Sequence, residues 1–235
     1  MSQGKKISEY LNSFFKEKVI ETFDSEVNPL LEVALINGRY QLNAGSVNYS
    51  FGPLHDAFRR YFKKDQPIIN SDSEVLLLGL GAGSVANIIR NELELDCPIT
   101  GVDIDPAVIE AARKHFALDK LSGLRVVISD AYAFAIECKE AYDFIVFDIY
   151  IDDKVPVKFE TLKFVRMLSK LLKPGGKVVF NKLQTSLADE SGVLMLTRYF
   201  QTIFEKTEVV KILVNKDTPN CFITGVKSKN ASIDE

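Results

Sequence analysis

Three glycines and one aspartate carry the most specific chemistry in this chain. Gly79, Gly81 and Gly83 stand in the stretch VLLLGLGAGSVANIIR, residues 75–90, directly after an unbroken apolar run. Lacking a Cβ, they let the backbone turn sharply from strand into helix and approach a ligand closely. Asp103 ends a second apolar run, ITGVD, twenty residues after Gly83. At that position a carboxylate accepts hydrogen bonds from both vicinal hydroxyls of a ribose. The pair predicts a nucleoside-containing ligand. A glycine turn alone would not, because tight strand-to-helix turns need glycine with or without one.

These residues meet only if a parallel sheet brings the strand ends together. VLLLGL, PITGVDI, LRVVISD, FIVFDIY and GKVVFN are short apolar strands. Between them lie the helical runs VANIIRNEL, PAVIEAARKHFAL, AYAFAIE and FETLKFVRMLSKLL. Such alternation implies a parallel sheet covered by helices on both faces. LLKPGGKVVF is expected to end a helix at Lys173 and turn through Pro174, Gly175 and Gly176 into a strand. After a helix over roughly 187–205, TEVVKILVN and NCFITGVKS read as a closing hairpin, which makes one strand antiparallel.

A smaller unit precedes this. Ile7, Tyr10, Leu11, Phe14 and Phe15 recur at i, i+3, i+4, i+7 and i+8, which predicts an opening amphipathic helix. KVIETF, LLEVALI and RYQLN follow, with Asn37-Gly38 as a hairpin turn that wants positive φ at both positions. The expected organisation is a helix and β-hairpin appendage over 1–51, an α/β domain over 52–228 and a disordered tail over 229–235.

Composition narrows the class further. A 235-residue chain with 46% hydrophobic and 26% charged residues is ordinary for a globular protein with one sizeable core. A net charge of −3 gives no global argument for nucleic acid. Cys97, Cys138 and Cys221 lie far apart without a CxxC, and there are two histidines, so neither a disulfide framework nor a metal site is expected. MSQGKKISEY lacks an apolar core segment and no run approaches eighteen apolar residues. A cytoplasmic, membrane-free protein is the expectation.

The glycine loop, the acidic end of the second strand, the SDA step at 129–131, the aspartate ending the fourth strand and the KPGG turn together resemble the class I S-adenosylmethionine-dependent methyltransferases. Within them the chain is most similar to the spermidine-synthase-like branch. GRYQL, NYSFGPLHDAF, GVDIDPAVIEAARKHF and YDFIVFDIY followed by VP carry that likeness, which covers nearly the whole sequence. It implies a doubly wound, mostly parallel seven-stranded Rossmann-like sheet behind a small β-rich appendage. It also implies a homodimer.

The resemblance assigns roles residue by residue. Gly79, Gly81 and Gly83 would face the aminoacyl or aminopropyl part of the nucleoside. Asp103 would hold the ribose hydroxyls and Ile104 would pack against adenine. Asp130 would accept from the exocyclic adenine amine while the Ala131 N–H reads a ring nitrogen. Asp148 would lie beside the transferred group as the catalytic acid or base. Gln41, Tyr49, Tyr150 and Asp152 would meet the acceptor.

Several of these have structural alternatives: Asp148 as a helix cap, Asp152 and Asp153 as a solvated turn, Gln41 and Tyr49 as packing of the appendage. For the two histidines, a surface or capping role for His55 and a structural role for His115 are expected.

The departures from the branch bear on the reaction. Aminopropyltransferases carry a GGGDG loop, whereas this chain reads GLGAGS, with Gly83 or Ser84 near the place of the acid. Their second acid after strand four is Ile151 here, and Asp152 and Asp153 follow one step late. Decarboxylated S-adenosylmethionine presents a bare ammonium that an acidic loop suits. The intact cofactor adds a carboxylate that such a loop would repel. The expected function is therefore methyl transfer from S-adenosylmethionine to a small amine or cationic acceptor. Aminopropyl transfer from the decarboxylated form, and a catalytically silent nucleoside binder, are the alternatives.

Overall fold

The computed structural model describes residues 8, 10–28, 30–45, 47–67, 69–215 and 218–230. Two sheets organise them. Strands β1 (Lys18–Phe23), β2 (Leu31–Ile36), β3 (Arg39–Ala44) and β4 (Val47–Ser50) form an antiparallel sheet in sequential order. The β2–β3 hairpin turns at Asn37-Gly38, both at positive φ, as the dipeptide predicts.

The larger sheet contains β5 (Val75–Leu78), β6 (Ile99–Asp103), β7 (Leu124–Ile128), β8 (Tyr142–Phe147), β9 (Leu172–Leu183), β10 (Lys206–Asn215) and β11 (Thr218–Val226). Its order is β10-β11-β9-β8-β5-β6-β7, and β11 alone runs antiparallel to its neighbours. The helices are α1 (Gly52–Lys64), α2 (Ser84–Asn87, continuing into a π-turn over Ile88–Glu92), α3 (Pro106–His115), α4 (Ala131–Glu137), α5 (Leu162–Leu171) and α6 (Leu187–Ile203).

Strand alternation splits the core into two layers. Val75 and Leu77 face Phe58 and Tyr61 of α1, Val85 of α2 and Val108 of α3. Leu76 and Leu78 face Ala135 of α4, Phe164 and Leu168 of α5 and Leu196 and Phe200 of α6. Helices on both faces make this the doubly wound, Rossmann-like arrangement that the resemblance implies. Its topological switch point lies at β5, which pairs β6 on one side and β8 on the other. Ligands of open α/β sheets bind at that crevice.

Two local expectations change. The opening helix covers residues 10–12 but turns away over 13–15, so Phe14 and Phe15 are exposed; Ile7 lies outside the described residues. The KPGG segment is a wide bulge inside β9: Tyr142 pairs with Leu172 and Phe144 with Lys177. Gly175 supplies the φ of +80° that this bulge needs. Residues 231–235 of the expected tail lie outside the described residues. Among those described, no helix is long and apolar enough to cross a membrane.

Candidate active site

The C-terminal ends of β5, β6 and β8 open on a cavity of about 740 Å³ whose far wall is the appendage sheet. That size lies within the range of small-molecule sites. Gly79, Gly81, Asp103, Ile104, Asp130, Ala131, Asp148, Gln41, Tyr49 and Tyr150 all line it.

The glycine loop follows β5 with φ of +90°, +55° and +90° at Gly79, Gly81 and Gly83. A Cβ on Gly79 would run into the Asp148 carbonyl oxygen, so only glycine lets β5 and β8 close at the switch point. Gly83 does not line the cavity. It packs on α3's connection instead, where a Cβ would come within 2.7 Å of the Leu118 Cδ1.

Asp103 accepts the Gly81 N–H on Oδ2 at 2.8 Å and the Asp105 N–H on Oδ1 at 3.1 Å. Burial pushes its carboxyl up to about 6, against the pull of those two N–H groups. Each oxygen keeps a further lone pair, which fits a ribose diol at the edge of the cavity. Ile104, 46% exposed although apolar, offers the flat surface an adenine needs.

Asp130 serves two neighbours already. It caps α4 by accepting from Tyr132 N and Ala133 N, and its Oδ2 takes the Lys158 ammonium at 2.6 Å. Burial raises its carboxyl, but Lys158 and the two N–H groups outweigh that and hold it below the usual carboxylate range. Any further donor at this position would have to share Oδ2 with Lys158 or displace it. The Ala131 N–H, at the start of α4, has no hydrogen-bond partner among the described residues.

Asp148 caps no helix. Its Oδ1 accepts from Asn181 Nδ2 at 2.9 Å, and burial pushes its carboxyl up to about 7 against that single bond. A carboxyl poised there exchanges a proton near neutral pH. Tyr150 packs behind it. Its hydroxyl donates to the Asn181 carbonyl at 3.0 Å and accepts from Leu183 N at 2.9 Å. Burial keeps this phenol far above its ordinary titration range, so it is a fixed wall and not a base.

Tyr49 joins the appendage to the main sheet by donating to the Tyr150 carbonyl at 2.8 Å. Burial, with Asp103 and Asp152 nearby, raises its phenol as well. Gln41 is buried against Gly52 in the same wall. Asp152 sits exposed in the turn after β8, at φ of +55°, and does not line the cavity; Asp153 does.

Three further residues, Asn181, Lys158 and Asn220, escaped the sequence reading, and so did the packing role of Ser84. Ser84, the last residue of the GLGAGS loop, is buried and accepts from Phe51 N at 2.6 Å and Ser50 Oγ at 3.1 Å. The loop position is thus used to hold the appendage. Asn181 contacts Asp148 and Lys158 contacts Asp130, and Asn220 of β11 lines the same cavity. Asn181 ends the KVVFN strand, at the ligand-bearing edge, and that position was a usable signal. Lys158 reaches Asp130 from a single 3-10 turn, Val157–Phe159, for which sequence offers none. His55 is no surface group: it is buried and bonded to Glu92 at 2.8 Å. His115 ties α3 to Glu21 of β1 at 2.6 Å.

A family model described as a methyltransferase domain matches residues 69–229. The chain belongs to the methyltransferase-domain family. Among curated relatives of this methyltransferase domain, polyamine aminopropyltransferase 2 of Hyperthermus butylicus is 32% identical over 127 residues, 49% of this chain and 40% of that protein. The eEF1A lysine and N-terminal methyltransferase of Bos taurus is 27% identical over 143 residues, 56% of this chain and 20% of that one. The chain thus matches less than half the length of these relatives.

Among solved structures, spermidine synthase from Thermotoga maritima has a TM-score of 0.69 at 16% identity, covering 91% of this chain and 74% of that one. Such coverage necessarily includes part of the N-terminal sheet. Human methyltransferase-like protein 13 in complex with SAH has a TM-score of 0.60 at 18% identity, covering 75% and 84%. The domain therefore has the spermidine-synthase-like form of the class I methyltransferase fold.

Proposed function

We propose that this methyltransferase-domain protein transfers a methyl group from intact S-adenosylmethionine to the nitrogen of a small amine. The observation that carries this is the glycine loop itself, GLGAGS. The glycine loop has no acid to repel the cofactor's carboxylate, and Ser84 Oγ is committed to Phe51 and Ser50. The binding residues fit the nucleoside: Asp103 for the ribose, Ile104 and Ala131 for adenine, the Gly79–Gly81 backbone for the amino-acid end. When bound, the cofactor supplies an electrophilic methyl carbon, which bonds to the acceptor nitrogen as the C–S electron pair returns to sulfur.

The chain's own part is orientation and proton transfer. An acceptor amine is protonated in water and has no lone pair to offer until it loses a proton. Asp148, held by Asn181 with its carboxyl near 7, takes that proton on a carboxylate oxygen. Glu17, Asp103, Asp148 and Asp153 line the cavity, where Lys158, paired with Asp130, is the only cation among the described residues. That negative potential draws in both a sulfonium and an amine. Tyr49 and Gln41 close the appendage side and limit water.

Aminopropyl transfer is the second reading, favoured by the likeness to spermidine synthases across the N-terminal sheet. Product analysis separates the two. With a panel of primary amines and methyl-labelled S-adenosylmethionine, label is expected in the amine and S-adenosylhomocysteine in the nucleoside fraction. Turnover of the decarboxylated cofactor to methylthioadenosine, with none of the intact one, would overturn methyl transfer.

A further inference from the structure

We infer that Asn181 and Asn220 are the residues that recognise the acceptor amine, an inference that rests on the transferase reading and names its acceptor-binding element. Both line the cavity that holds Asp148. Asn181 is fully buried and Asn220 is 6% exposed. The Oδ1 of each is buried without a hydrogen-bond partner among the described residues. Buried polar atoms in folded proteins are paired almost without exception, so each orphan requires a reason.

The register explains how they act together. β11 runs antiparallel to β9, pairing Asn220 with Leu183 and Phe222 with Asn181. Alternation places Asn181, Leu183, Asn220 and Phe222 on one face of the sheet, and the two asparagines are diagonal neighbours there. Diagonal pairs in such a ladder lie about 7–8 Å apart, within reach of one small group set between them. Phe222 packs in the α1 layer, so this is the face the appendage covers.

The Asn181 amide is oriented by its bond to Asp148: the carboxylate accepts, so the nitrogen points at Asp148 and the oxygen away from it. Asn220 has no side-chain bond of its own among the described residues. The result is three oxygens on one wall, two amide and one carboxyl. A primary amine brings three N–H donors when protonated and two after Asp148 removes one. A hydroxyl brings one, and a tertiary ammonium brings one. The site therefore selects primary amines. The two amide oxygens hold the remaining N–H groups while the lone pair faces the cofactor side.

Asn220→Leu and Asn220→Asp test this in the full-length chain. Leucine is close in size and removes the orphan carbonyl, so the cofactor-free melting temperature is expected to hold or rise. Calorimetry with n-butylamine hydrochloride, with and without S-adenosylhomocysteine, is expected to show binding to the native chain and none of 1-butanol. Affinity should fall at least about tenfold in Asn220→Leu and persist in Asn220→Asp, which keeps an acceptor oxygen. A fall in melting temperature of several degrees for Asn220→Leu would overturn the inference by making Asn220 structural. So would equal amine binding by the native and leucine chains, or none by the native chain. The S-adenosylhomocysteine isotherm separates the readings: its absence sinks the cofactor assignment, while the amine and melting results still decide the role of Asn220.

Discussion

Asp148 is set apart from the other acids of the cavity by how few partners it has. Asp103 accepts two backbone N–H groups and Asp130 accepts two plus an ammonium, whereas Asp148 accepts one amide N–H. All three feel the cost of burial, but it is much larger for the deeply buried Asp103 and Asp148 than for Asp130, whose Lys158 partner and N–H donors outweigh it. Asp130 stays ionised, Asp103 rises to about 6 and Asp148 to about 7. A base must be deprotonated to act. kcat/KM is therefore expected to climb with pH through a midpoint near 7 and then level off. Asp148→Asn keeps the size and the contact with Asn181 while abolishing the titration. It is expected to lower kcat at least about a hundredfold, the lower range for loss of a general base, and to remove the climb. A native profile flat between pH 6 and 8 would take the proton from Asp148.

Among the elements, the glycine loop is the joint on which both sheets meet. Ser84 at the start of α2 holds the Phe51 N–H, and Phe51 is itself at φ of +62°. Further ties run from Ser25 and Asn28 to Asp105, from Tyr49 to the Tyr150 carbonyl, and from Glu21 to His115. Ser84→Ala leaves a half-buried N–H without its acceptor, at a cost of about 1–3 kcal/mol. In a chain of this size the melting temperature should drop by roughly 2–4 °C per kcal/mol. Cofactor affinity should fall with it, because the appendage loosens over the cavity. A melting curve identical to the native one would show that the tie contributes nothing.

The same elements mark what the sequence made legible. Apolar runs ending in Gly79, Asp103 and Asp148 could be read because strand period and turn chemistry are local properties. The diagonal placement of Asn181 and Asn220 could not, since it depends on the register of two strands some forty residues apart. The Ser84 tie and the Lys158 bridge likewise join segments that come together only in the fold. The KPGG segment has turn residues but lies within a strand, because pairing with β8 and β11 continues past the bulge.

At the scale of the whole molecule, the fold and the reaction separate. The spermidine-synthase-like architecture reaches from the N-terminal sheet to β11, yet the acid that distinguishes aminopropyl transfer is missing from the GLGAGS loop and Ile151 stands in place of the one after β8. Amides replace them: Gln41, Asn43 and Asn48 from the appendage, Asn181 and Asn220 from the main sheet. An amide wall recognises N–H groups without demanding a dication, and a loop without an acid admits a carboxylate.

The central claim is thus about which cofactor the loop accepts, and one calorimetric comparison tests it directly. Intact and decarboxylated S-adenosylmethionine, titrated separately into the native chain, differ only in that carboxylate. The intact form is expected to bind at least about tenfold more tightly, the equivalent of one favourable charged hydrogen bond to the loop backbone. Tighter binding of the decarboxylated form would contradict the account.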